Sequence, residues 1–146
     1  MKKAPSRANA SASTSLTDAD YVVLADFRFA LRKFIAFSES KAAEHGLTPQ
    51  QHQALLAVRA AKADTATIGY IAERLILKPH SASGLVDRLE TLGLVVRETS
   101  SQDGRVSVLC LSRAATKKLD ALSSTHQEEI RRLRPVLGEL LSHFEQ

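Results

Sequence analysis

Apolar residues along the chain first recur with a helical period and then, over one short stretch, with a strand period. Leu24, Phe27, Leu31 and Phe34 stand at alternating steps of three and four, which places them on one face of a helix. Thr17 and Asp20 have capping-box spacing at its start, and Gly46 supplies its stop. A second helix opens at Thr48, Pro49 and Gln51, again a capping box with proline at the first helical position, and turns Leu55, Leu56 and Val58 inward. Two shorter helices follow. "TIGYIAERL" is capped by Thr67 and buries Ile68, Ile71, Ala72 and Leu75. "PHSASGLVDRLETLG" starts at Pro79, buries Ala82, Leu85, Val86 and Leu89, and ends at Gly93. The period then shortens: "LVVRET" and "RVSVLCLS" have the β-branched content and partial alternation of two strands, with "SSQDG" as their turn. Ser112 is placed to cap a long final helix, which Pro135 is expected to end or to bend into a shorter one running through Val136, Leu140 and Phe144. Residues 1–16 are rich in Ser and Ala, lack apolar periodicity, and read as a flexible tail.

At 146 residues, 44% hydrophobic and 25% charged, the sequence fits one soluble globular domain. The basic start is followed by no apolar run of signal-peptide type, and nothing reaches the ~18 apolar residues of a membrane span. A cytoplasmic protein with no membrane role is the expectation. The single cysteine excludes an intrachain disulfide and a multi-cysteine metal site. A net charge of +4 and a pI near 9.5 permit an acidic partner without requiring one. A motif has to decide.

Helix, short link, helix and two-stranded hairpin is the order of a winged helix-turn-helix. Two steeply crossing helices need a small side chain where they meet, and Ala72 occupies that place. The second helix keeps His80, Ser81, Ser83, Gly84, Asp87 and Arg88 on a polar face, short-chained near the N-terminal end that enters a major groove and offers free N–H groups to phosphate. Arg105 at the hairpin tip suits a narrow, electronegative minor groove. Asp103 is positioned to brace Arg105 by a carboxylate–guanidinium contact, and Gly104 to let the tip turn tightly.

"LTPQQHQALLAV", "TIGYIAERL" and "SGLVDRLETLGLVVRETSSQDGRVSVLCLS", with the long helix after them, resemble the MarR-type (multiple antibiotic resistance) regulators over roughly residues 20–144. The resemblance implies a mostly α fold with a small β wing: a winged helix-turn-helix lobe at 48–112, and a dimerisation domain from the helices at 17–47 and 113–146. It implies a homodimer on a pseudo-palindromic operator in double-stranded DNA, acting as a repressor that a small aromatic or phenolic ligand releases. The matching recognition positions are Pro79, His80, Ser81, Ser83, Gly84 and Arg88, with Asp103 and Arg105 on the wing. Lys78 replaces the Ser or Thr N-cap frequent in the family, so phosphate contact takes the place of capping there. Gly84 replaces a larger polar residue, and Ala115 a frequent glycine.

Arg74, Lys78, Arg97 and Arg113 are candidate phosphate contacts. One lobe reads only half a site, and the terminal helices carry more apolar surface than one lobe can cover, which favours pairing two copies. Four of the five phenylalanines, Phe27, Phe29, Phe34 and Phe37, fall in the first helix. Phe27, Arg28, Arg32, Phe34 and His52 are the candidate lining of a ligand cleft, an aromatic wall beside a cation suited to an aromatic carboxylate. Cys110, between leucines on a strand, reads as buried and inert. His45, His52, His126 and His143 have no metal-site spacing and read as surface or cap residues. With no phosphate loop and no nucleophile beside a legible base, neither an enzyme nor a bound cofactor is expected. The alternative is a winged-helix module that docks a protein instead of DNA.

Overall fold

The computed structural model describes residues 15–145, so most of the tail expected at 1–16 lies outside the described residues. Within them the order is α1 (Asp18–Glu44), α2 (Pro49–Ala60), α3 (Ile68–Leu75), α4 (Pro79–Thr91), β1 (Val95–Thr99), β2 (Ser107–Leu111), α5 (Arg113–Ala121) and α6 (Ser123–Phe144). Both capping boxes form. The Asp20 N–H donates to Thr17 Oγ1 at 3.2 Å while Thr17 N–H donates to Asp20 Oδ2 at 2.7 Å. Thr48 and Gln51 exchange the same pair of bonds at 3.1 and 3.2 Å. Thr67 and Ser112 cap α3 and α5 through the N–H groups of Tyr70 and Ala115.

Three helices end in one hydrogen-bond pattern. After α1, Leu47 N–H reaches Ala42 O and Gly46 N–H reaches Ala43 O; after α4, Leu94 reaches Leu89 O and Gly93 reaches Glu90 O. After α3, Leu77 N–H bonds Ala72 O at 2.8 Å and Ile76 N–H bonds Glu73 O at 3.3 Å. This Schellman closure needs a left-handed residue, normally glycine. Gly46 (φ 73°) and Gly93 (φ 70°) meet the need without strain, but the third position is Ile76 at φ 54°. A β-branched side chain in that conformation is an outlier. It also projects into solvent, 93% exposed.

The core is the lobe. Leu55 of α2, Ile71 of α3, Leu85, Val86 and Leu89 of α4, Val95 of β1 and Leu122 are almost wholly buried. Burying each such side chain contributes about 1.5–3 kcal/mol before the entropy of ordering it. All four residues expected on the inner face of α4 are there. The strands pair antiparallel in the register Val95↔Leu111 to Thr99↔Ser107. The other edge of β2 is tied by Leu109 N–H to Ala66 O of the α2–α3 loop, at 2.8 Å. α1 packs chiefly along α6, so only Ser38 and Ala42 of its 27 residues are buried. His143 Nε2, 2.6 Å from Asp20 Oδ1, fastens the end of α6 to the start of α1.

The final helix departs from expectation. It breaks at Leu122, not at Pro135, and α6 runs through the proline. Leu122 is fully buried in the lobe core, whereas the residues after it must follow α1, so the change of direction falls where the two packing demands meet. Pro135 is exposed, which leaves the carbonyl its ring frees to water, and packing on α1 offsets the cost of the missing hydrogen bond.

Candidate nucleic-acid interface

Because Ala82, Leu85, Val86 and Leu89 point inward, α4 must present its opposite face to solvent. Lys78, Pro79, His80, Ser81 and Arg88 are exposed there, and Ser83 and Gly84 are half-buried at its margin. Lys78 makes no side-chain cap bond. The first N–H groups of α4 therefore stay free at the positive end of the helix dipole, the arrangement that attracts a phosphate. A Cβ at Gly84 would meet Arg88 Nη1 at 3.8 Å, ordinary contact, so packing does not require glycine there.

The wing loop is held from within. Ser100 N–H bonds Val106 O at 2.8 Å and Val106 N–H bonds Asp103 O at 3.0 Å. Asp103 does brace Arg105, but through the backbone: its Oδ1 accepts the Arg105 N–H at 3.0 Å, and no carboxylate pairs with the guanidinium among the described residues. An Asx turn of this kind forms because the short carboxylate reaches the N–H two residues on more easily than a long side chain can fold back. The tip does not use the freedom of Gly104, whose φ is not positive.

Of the candidate phosphate contacts, Arg74 and Arg113 are exposed. Arg97 is already engaged: it reaches Asp87 of α4 with Nη2 and Glu90 with Nε at 3.2 Å. Two carboxylates one turn apart on α4 make Arg97 a strut between helix and wing rather than a free cation. A spacing of ten residues across a loop gave no sign of this in the sequence.

A cleft of about 500 Å³ opens between α1, α2 and the end of α3. Phe34 and His52 line it as expected, but Phe27, Arg28 and Arg32 do not. Phe27 is half-buried elsewhere on α1, and both arginines are exposed in solvent. Arg74 is the cation on the cleft, with Glu39, Leu75 and Ile76 also on its wall.

The histidines are the largest departure. His45 does cap α1, its carbonyl accepting Lys118 Nζ at 2.6 Å. His52 is not at the surface: it is 2% exposed and stacks on His126 of α6, ring centroids 5.3 Å apart and planes 7° from parallel. His126 Nδ1 lies 3.2 Å from Oε2 of the buried Glu129. Burial, and then the neighbouring His126, hold the His52 imidazole below its usual pKa, against a smaller opposite pull from Glu129. His126 and Glu129 stand three apart on one helix, a pairing visible in the sequence, but their meeting with His52 spans 74 positions. Cys110 is half-exposed rather than buried, with Sγ 3.3 Å from Glu98 Oε2. Partial burial and Glu98 push its thiol pKa up, which favours the protonated form.

The MarR family model matches residues 45–106, from the end of α1 to the wing. No curated protein matches the chain in sequence. Among solved structures the chain is similar to the S. aureus MepR–DNA complex, at 24% identity over 83% of this chain and 85% of that one, with a TM-score of 0.63. A MarR transcription factor from Planctomyces limnophilus is 26% identical over 88% and 92%, TM-score 0.58. AbsC, a MarR family transcriptional regulator from Streptomyces coelicolor, is 18% identical over 90% and 93%, TM-score 0.66. Over its winged helix-turn-helix lobe the chain thus matches the MarR family model, and the helices flanking that lobe complete the fold seen in these structures.

Proposed function

We propose that the chain is a DNA-binding transcriptional regulator that acts as a homodimer, with α4 in the major groove and the wing in the adjacent minor groove. One observation carries the reading. α4, polar and uncapped at its N-terminal end, is joined through Asp87 and Glu90 to a wing whose Arg105 guanidinium is exposed and unpaired among the described residues. On a duplex, His80, Ser81 and Ser83 face base edges, Lys78, Arg74 and Arg113 face phosphates, and Arg105 enters the narrow groove, where negative potential is highest. Self-association is supported by the apolar side chains that α1 and α6 leave in solvent, among them Val22, Phe29, Ile130, Leu141 and Phe144.

Release by an effector is supported by the cleft. Its wall includes Leu75 and Ile76, four and three residues before α4 begins, so a molecule seated against Phe34 and Arg74 bears on the element proposed to meet DNA. An aromatic ring with a carboxylate fits that lining, and a repressor freed by such a compound is the regulatory mode we infer. Selection of bound sequences from random duplexes tests the core of the reading, with a two-fold repeat expected. Affinity for the selected site should fall about a thousandfold or more between 50 and 200 mM salt if six or more phosphates are neutralised. Absence of any selected site, with binding to a protein partner that ignores salt, overturns it.

A further inference from the structure

The loop between α2 and α3 does more than connect them. Asp64 sits on it in the left-handed region, φ 66°, and its carboxylate reaches across to the base of the wing. Oδ2 accepts the Ser100 hydroxyl, and Oδ1 accepts the Ser101 N–H at 3.1 Å. The same Ser100 Oγ accepts the N–H groups of Gln102 and Asp103, both at 3.2 Å. Asp103 Oδ1 in turn accepts the N–H of Arg105. The Ser100 hydroxyl thus uses its one donor and both acceptor sites, and a hydroxyl so satisfied has a fixed orientation. An unbroken series of hydrogen bonds runs from Asp64 through Ser100 and Asp103 to Arg105.

We infer that Asp64 is a positioning residue for DNA recognition, holding the wing loop in the conformation from which Arg105 projects. The inference rests on the DNA-binding reading above. Its physical basis is that a seven-residue loop between two strands has many conformations, and a guanidinium held in one of them gives up less entropy on binding. Both anchor atoms are on the wing side of β1, whereas the loop's other tie, Ala66 O to Leu109 N–H, is on β2. The two ties therefore grip different strands, and only the Asp64 tie continues to the tip. The Ser100 hydroxyl and then the Ser101 N–H also hold the Asp64 carboxyl below its usual pKa, so it stays an acceptor throughout the neutral range.

Asp64→Gly separates the carboxylate from the backbone, because glycine keeps the left-handed conformation without strain. Affinity for the selected duplex is measured by fluorescence anisotropy for the full chain, Asp64→Gly, Arg105→Ala and the double variant, with Asp64→Asn as the conservative replacement. Asp64→Gly should weaken binding on the order of fivefold when Arg105 is present and by less than about twofold when it is alanine, while Asp64→Asn, which keeps one acceptor oxygen of the two, recovers only part of the loss. Amide exchange at 101–105 should accelerate in Asp64→Gly, with β1 and β2 unchanged. An equal loss in both backgrounds, or unchanged exchange at 101–105, overturns the inference. If the unsubstituted chain fails to bind DNA, the functional reading falls, and the exchange measurement still decides whether Asp64 orders the wing.

Discussion

Ile76 provides a test with an unusual sign, a substitution at an apolar residue that should stabilise the protein. Leu77 N–H to Ala72 O and Ile76 N–H to Glu73 O force the left-handed conformation, and glycine fills the same place after α1 and α4. Placing Cβ there costs about 1–2 kcal/mol. Glycine removes that strain but costs about 0.5–1 kcal/mol in backbone entropy. Packing hardly enters, since the side chain is 93% exposed and little burial is lost. Ile76→Gly should therefore raise stability by about 0.5–1 kcal/mol, or roughly 2–5 °C in Tm for a chain of this size. Thermal unfolding at one fixed protein concentration measures it, because the proposed self-association would make Tm depend on concentration. Ile76→Ala is the control: it deletes the branched side chain but keeps Cβ, so most of the strain stays and Tm should move by less than half as much. A fall in Tm for Ile76→Gly would refute the strain argument and show that Ile76 has a packing partner in the assembled state.

Arg105→Ala should weaken binding to the selected duplex by about 1–3 kcal/mol in an anisotropy titration, with Tm unchanged, and an unchanged affinity removes the wing from the interface. Arg97→Met should leave the slope of log affinity against log salt unaltered, because Arg97 is held by Asp87 and Glu90, whereas a phosphate contact would reduce that slope by about one. Stability should decline as pH falls below the ordinary histidine pKa. His52 is depressed in the folded state, so the unfolded chain takes up a proton first, and the loss grows until the folded pKa is reached. Urea midpoints for the full chain and His52→Gln between pH 5 and 8 check this, and an identical acid slope in the variant counts against it. Leu122→Ala should cost about 2.7–5 kcal/mol, since it empties a fully buried site, and a chemical-denaturation difference below 1 kcal/mol would show that the break is not anchored by burial.

What could be read in the sequence is what local hydrogen bonding and periodicity determine. Thr17 with Asp20 and Thr48 with Gln51 are pairs three residues apart, and the inner face of α4 follows from spacing alone, so each appears in the structure as expected. The order of elements around the wing follows for the same reason. What escaped depends on partners distant in the chain. His52 lies on the buried side of α2, but nothing nearby shows that His126 will cover it. Arg97 looked like a free cation because Asp87 and Glu90 belong to another element. Asp64 carries no local sign of its role because Ser100 is 36 positions away. The break at Leu122 was masked by Pro135, the stronger local signal, since the competing demand comes from two packing surfaces and not from the backbone.

That break has a mechanical consequence. The lobe joins the long α1–α6 pair by two covalent crossings, one at Leu122 and the other through residues 45–48. Lys118, one turn before Leu122, grips the His45 carbonyl and draws the crossings together. Two neighbouring attachment points act like the pins of a door. Turning about the line through them is cheap, while sliding or twisting across it strains the chain at both. On the reading proposed above, a compound in the cleft acts on the lobe through that one turn, and its effect reduces to an angle.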